Sequence, residues 1–172
     1  GLFAELEALE HYWLENGFEL KDWIGPEGGE VDFSNESISV EVKVRSASYT
    51  VHISSLQQLQ ICNNTIMFSL LINNSPNGES LDSKVERLYQ LLDDSQKEIF
   101  INKIISTGFL KNHNYSEPLI SLDEEFHLID NRFPHIEPGQ IESIVSAKYE
   151  VDLSFAETSK ITEEEFNAHL RN

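Results

Sequence analysis

The sequence predicts an α/β protein: an early helix, a run of short strands, then further helices and strands. Three observations carry this reading. Leu2, Leu6, Leu9 and Trp13 recur at helical spacing on one stripe of residues 2–16. Ile38, Val40, Val42 and Val44 alternate with Ser39, Glu41, Lys43 and Arg45, the period of two expected of a half-buried strand. The run Thr65 to Ile72 is largely apolar and of strand length, as a buried strand requires.

The remaining elements follow in order. Gly17 is suited to cap the first helix. A short strand is expected over 18–24, then a loop at Gly25-Pro26-Glu27-Gly28-Gly29. That loop is not a phosphate cradle, because no Gly-Lys-Ser/Thr follows it. Residues 31–33 and 38–45 are expected to pair as strands, with a third strand over Tyr49 to Ile53. Ser54 or Ser55 can cap a short helix holding Leu56 and Leu59. A turn is expected at Asn74 to Gly78. Two helices are expected over 81–93 and 95–107, with Val85, Leu88, Leu91 and Leu92 inward on one and Ile101, Ile104 and Ile105 on the other. Strands are expected over 124–130 and 142–153. Thr162 and Glu165 form a capping-box signature before a last helix. This divides the chain into a motif-bearing core at 1–75 and a C-terminal α+β elaboration at 76–172, the two packed together. The chain lacks an initiating Met and opens inside a helix, so a preceding N-terminal region is expected.

Composition narrows the function classes. A chain of 172 residues, 40% of them hydrophobic, can bury its own core without staples. Cys62 is the only cysteine, so no intrachain disulfide can form, and it is expected to be a buried thiol. One cysteine and scattered histidines argue against a structural zinc site. No apolar run reaches membrane-spanning length and no signal peptide opens the chain, so a cytoplasmic protein is expected. The net charge of −18 is opposite to the basic footprint usual in a protein that grips nucleic acid, since phosphate neutralisation supplies most of that affinity.

The residues with chemical content are Asp32, Glu41 and Lys43. Alternation puts Glu41 and Lys43 on one face of their strand and Val40, Val42 and Val44 on the other. Asp32 lies between Val31 and Phe33 and so leaves an apolar face for a polar one. A tight hairpin through Asn35-Glu36 would pair Ser34 with Ser37 and Asp32 with Ser39, making Asp32 and Glu41 diagonal neighbours. Any even loop length preserves that parity; an odd one sends Glu41 to the other face. Two close carboxylates repel unless a cation joins them. Mg²⁺ takes one or two carboxylates and fills its remaining positions with water and substrate phosphate. A lysine beside it can neutralise charge developing on a phosphodiester. Arg45 continues the same face and could meet phosphate.

The order helix, Asp, Glu-x-Lys strand, strand, helix, strand resembles the PD-(D/E)XK nuclease superfamily. The text is similar to a bacterial family of PD-(D/E)XK motif proteins at residues 1–6, at Trp23-Ile24-Gly25-Pro26-Glu27-Gly28-Gly29, at Val31-Asp32-Phe33, at Glu41-Val42-Lys43 and at residues 51–56. A weaker echo lies at Phe133-Pro134 and Val151-Asp152-Leu153-Ser154. The resemblance implies a restriction-endonuclease-like α-β-β-β-α-β core, a mixed sheet flanked by helices. It implies Asp32 and Glu41 as ligands of Mg²⁺ or Mn²⁺, Lys43 as the catalytic lysine and Glu5 as the first-helix acid. It further implies an endonuclease acting on DNA in a restriction or mobile-element setting. The helical wheel places Glu5 at the edge of the apolar stripe, between Leu9 and Tyr12, where a carboxylate wants a metal, a lysine or a water; an acid favoured by the helix dipole explains it equally. Val31 stands where the superfamily's name has proline. His52 and Gln58 are further substrate-contact candidates, against a plain strand histidine and a solvated helix glutamine.

The charge leaves two function classes in view. An endonuclease would need a missing N-terminal region, a homodimer groove or a basic partner protein to hold DNA. A non-catalytic interaction module with a nuclease-like fold would use its acidic surface directly. A hydrolase of another phosphoester shares the same residues.

Overall fold

The computed structural model describes residues 1–16, 18–55, 58–59, 64–109, 115–136 and 146–171. Its centre is a mixed five-stranded sheet. The strands are β1 (Phe33–Ser34), β2 (Ser39–Arg45), β4 (Thr65–Ser80), β5 (Pro118–Leu128) and β7 (Lys160–Ile161), side by side in that order. β2 and β4 run parallel; the other neighbours are antiparallel. The remaining strands, β3 (Thr50–Ile53) and β6 (Tyr149–Asp152), pair with each other as a separate antiparallel ribbon. The protein is therefore a mixed α/β fold. The third strand of the expected run leaves the main sheet for β6.

Alternation sorts the side chains into two cores. Val40, Val42, Ile66, Phe68, Leu70 and Phe126 face the helices. These are α1 (Leu2–Ala8), α2 (Leu81–Leu91), α3 (Asp94–Ser106) and α4 (Glu163–Leu170). Leu6, Leu9, Leu88, Phe100, Ile104 and Phe166 close that core. Phe68 stacks on Phe126 with ring centroids 5.0 Å apart, and Tyr12 meets Phe68 edge-on at 5.3 Å. On the opposite side, Met67 joins Val51, Ile53, Val151, Leu153 and Phe133 in a second, smaller core under the ribbon. All four of these helices contribute to the first of the two cores.

Several local readings change. The helix expected over 2–16 is α-helical only to Ala8 and continues as a π-helix over Leu9–Leu14, with Leu9, Tyr12 and Trp13 all buried. The strand expected at 18–24 is a 3-10 turn at Leu20–Asp22, closed by a capping box between Glu19 and Asp22. Trp23 contributes one antiparallel bridge to Phe33 and no strand. The turn signal at Asn74 to Gly78 marks an irregularity inside β4: Asn74 and Glu79 both pair with Leu119, so the residues between them bulge out. Gly78 is required there, since a Cβ would stand 2.2 Å from the Leu119 carbonyl oxygen. The two helices of the next segment are α2 and α3, opened by Ser80 and by an Asp93–Gln96 capping box. The strand expected at 124–130 begins earlier, at Pro118, and that at 142–153 is β6 within its described part. Thr162 and Glu165 do form a capping box at α4. Gly17, Leu56 and Cys62 lie outside the described residues, and Leu59 sits in a turn, not a described helix. Among the described residues no helix is long and apolar enough to cross a membrane.

One charged cluster fastens α2 to the first helix. Lys84 is 1% exposed. Its ammonium lies 3.1 Å from Glu7, 3.0 Å from Glu10 and 3.7 Å from Glu79. Arg87 holds Glu10 and Glu79 from the rim. The Arg87 hydrogen bonds, helped by Lys84, bring the Glu10 carboxyl down to about 2. Removing a buried cation strands its partners, so Lys84→Ala is expected to lower the unfolding free energy by about 3 kcal/mol, measured by urea titration. The Glu10 contribution is fully present above 4.5, its ordinary value, and is lost as pH falls from there toward about 2. Melting curves of Glu10→Gln are therefore expected to show a flatter acid limb than the wild type.

Candidate active site

The β1–β2 hairpin sets the site. Its observed register pairs Phe33 with Val40 and Ser34 with Ser39, so its loop is 35–38 and two residues longer than the tight turn expected from sequence. The loop length stays even, and Asp32 keeps the parity of Glu41. Asp32 N–H donates to the Val40 carbonyl at 3.2 Å, and Asp32 Oδ2 accepts from Val42 N–H at 2.7 Å. The side chain of Asp32 is thereby fastened to the backbone of β2 beside Glu41.

Glu41 is 2% exposed, and its Oε1 lies 2.6 Å from Lys43 Nζ. Lys43 Nζ also donates to Gln58 Oε1 at 3.2 Å, and the same oxygen accepts from Ser54 N–H at 2.8 Å. Gln58 thus fixes the lysine from the segment after β3. Glu5 enters from α1: its Oε2 accepts from Trp23 Nε1–H at 3.0 Å. Gly25 lies between the two acids. A Cβ on Gly25 would stand 2.6 Å from Asp32 Oδ1 and 3.1 Å from Glu5 Oε2. Only a glycine lets the 25–29 loop lie this close to both carboxylates.

The electrostatics follow from burial. Asp32 is pushed up to about 8, first by burial and then by the charges of Glu41 and Glu5, against the Val42 hydrogen bond and Lys43. Glu41 is pushed up to about 7, because burial outweighs its contact with Lys43 and Glu5 adds repulsion. Burial also raises Glu5, against the Trp23 hydrogen bond and the charge of Lys43. Glu5, Asp32 and Glu41 are therefore electrostatically linked, with the charge of Lys43 among them.

Two further candidates stand elsewhere. Arg45 is 2% exposed, ion-paired to Asp123, 3.9 Å from Glu125 and 4.7 Å from the centre of the Tyr49 ring. Its guanidinium ties β2 to β5 across β4 and does not open to solvent. His52 projects from the exposed side of β3, 3.3 Å from Glu150 on β6. Trp23 and Gly25 were not singled out from sequence. Their signal was present in the Trp-Ile-Gly-Pro text, but alternation and wheel arguments do not reach a loop.

Among the described residues no group of three or more His, Cys, Asp or Glu side chains is arranged to hold a metal ion. The donor set does fit a Mg²⁺-type site, which takes one or two carboxylates and completes its shell with water and substrate. It does not fit a dedicated all-protein cage. Such an ion takes hard carboxylate oxygens, here raised in proton affinity first by burial and then by each other's charge.

The model of the DUF4420 family, described as "Putative PD-(D/E)XK family member", matches residues 1–154. The chain belongs to this family. No curated protein and no solved structure matches it.

A carboxyl raised in the native state makes the native state bind more protons, so its contribution to stability falls as pH rises through the window. For Asp32 that window runs from 3.8 to about 8. In protein stripped of divalent ions, Asp32→Asn is expected to melt above the wild type at the upper end of this window, with the gap closing toward the lower end. An equal gap at both ends would show that Asp32 ionises as an ordinary carboxylate.

Proposed function

We propose that this chain is a divalent-metal-dependent nuclease that hydrolyses phosphodiester bonds of DNA. The observation that carries the reading is the convergence of Asp32, Glu41 and Lys43 on one hairpin face with Glu5 beside them, in a chain of a PD-(D/E)XK family. On this reading α1, β1, β2, β3 and β4 correspond to a restriction-endonuclease-like core, with β3 displaced into the ribbon.

Asp32 and Glu41 would hold the ion, and Glu5 would take a water of its shell. When bound, the ion supplies an activated water and a Lewis acid at the phosphate. The rest is done by the chain. Val42 N–H holds Asp32 Oδ2, which leaves the other oxygen against the Gly25 edge. Glu41 and Gln58 hold Lys43 Nζ from two sides, so its ammonium meets developing phosphate charge without reorganising. His52 and Arg45 take no part in this scheme.

The net charge of −18 favours a second reading, a non-catalytic module that presents its acidic surface to a basic partner protein. Even as a nuclease the chain would need a second basic surface, from a homodimer or a partner, to hold DNA. Mn²⁺-dependent cleavage of plasmid DNA separates the readings. Cleavage is expected to be weak and steeply salt-sensitive. Asp32→Ala or Lys43→Ala is expected to reduce it by about 100-fold or more, as for loss of a group that stabilises transition-state charge. Cleavage left intact in both variants sinks the site assignment; no cleavage and no Mn²⁺ binding, with capture of a basic protein, favours the module.

A further inference from the structure

We infer that Lys103, on α3, is a positioning residue for the Glu5–Asp32 end of the carboxylate cluster, acting through Trp23 and Gly25 without touching the cluster itself. This rests on the metal-site reading above.

Lys103 is 4% exposed. An ammonium is costly to bury unless it is paired and hydrogen-bonded. Its partners are the carbonyl oxygen of Trp23 at 2.7 Å and Glu27 Oε2 at 3.1 Å. Glu27 is itself more than half exposed, so the pair is not a self-contained buried salt bridge. A methionine would fill the same volume without desolvating a charge. What the lysine adds is a grip on the backbone of residues 23–27.

That segment makes three contacts with the cluster. Trp23 Nε1–H holds Glu5 Oε2 at 3.0 Å. Ile24 N–H and Gly25 N–H both donate to the Asp32 carbonyl, at 2.8 and 2.9 Å. Gly25 abuts the side chains of Asp32 and Glu5, as its missing Cβ shows. α3 addresses the same tryptophan twice from one face. Phe100 packs on the Trp23 ring at 6.1 Å, and Lys103, three residues on, holds its carbonyl. The ring is clamped from the other side by Phe33 at 6.3 Å. Glu5 therefore depends for its position on a helix that lies about 100 residues away in sequence and contributes no atom to the cluster.

The test compares the wild type with K103M, K103R, W23F and E5Q. Mn²⁺ affinity is read by titration, and the Trp23 indole N–H by its ¹H–¹⁵N resonance. K103M is expected to melt close to the wild type and to lose about tenfold in Mn²⁺ affinity, the usual effect of removing a group that orients a ligand. K103R, which keeps a donor to the Trp23 carbonyl, is expected to recover most of that loss. The indole resonance is expected to move in K103M and in E5Q alike. A folded K103M with wild-type affinity and an unmoved indole resonance overturns the inference. If K103M fails to fold, W23F carries the test, because it keeps the aromatic packing and lacks the N–H; wild-type Mn²⁺ affinity in W23F then overturns it. If the wild type binds no Mn²⁺, the metal-site reading falls, and the indole resonance alone decides: moved in K103M, the link to Glu5 stands; unmoved, it falls.

Discussion

Asp32 is held by its whole backbone and by one carboxylate oxygen. Its N–H reaches β2, its carbonyl takes the N–H groups of Ile24 and Gly25, and its Oδ2 takes that of Val42. The arrangement around it follows from those bonds. They bring the Gly25 loop against the edge of the sheet, seat Trp23 beside Phe33 and leave the second oxygen of Asp32 against Gly25. A carboxylate fixed this firmly cannot move away from its neighbours when they ionise. Burial and the charges of Glu41 and Glu5 therefore act together on its carboxyl.

The distribution of basic residues has the same logic at larger scale. The chain has only twelve lysines and arginines against thirty acids. Three of the basic side chains, Arg45, Lys84 and Lys103, are buried and used as internal ties. Arg45 joins β2 to β5, Lys84 joins α2 to the first helix, and Lys103 joins α3 to the Trp23 segment. Each meets carboxylates or a carbonyl, so burial leaves none of them unpaired. These ties draw cations away from the surface of an already acidic chain. Lys43 is held instead by Glu41 and Gln58 beside Asp32.

Much of the fold was legible because it is local. The alternation in β2, the apolar run opening β4, the stripe of α1 and the capping box of α4 all depend on near neighbours. The errors have local causes too. Asn74 to Gly78 carries turn chemistry, yet β5 on its flank pairs with both ends and turns the stretch into a bulge. Leu20 and Trp23 are buried like strand residues, but they pack individually from a 3-10 turn and a single bridge. The departure of β3 to pair with β6 could not be read from either strand, since a short alternating strand fits any open edge.

The sequence alone determined that Glu41 and Lys43 share a face, because side chains alternate on a strand, and that Asp32 joins them if the hairpin loop is even. It also determined the acidic balance of the chain. Only the tertiary structure decided that Arg45 lies buried against β5, that His52 faces Glu150, and that Trp23 and Gly25 stand against Glu5 and Asp32. The reason is that periodicity reports which side of an element a residue occupies, whereas these contacts join different elements, and what lies opposite a side chain is set by how the elements pack.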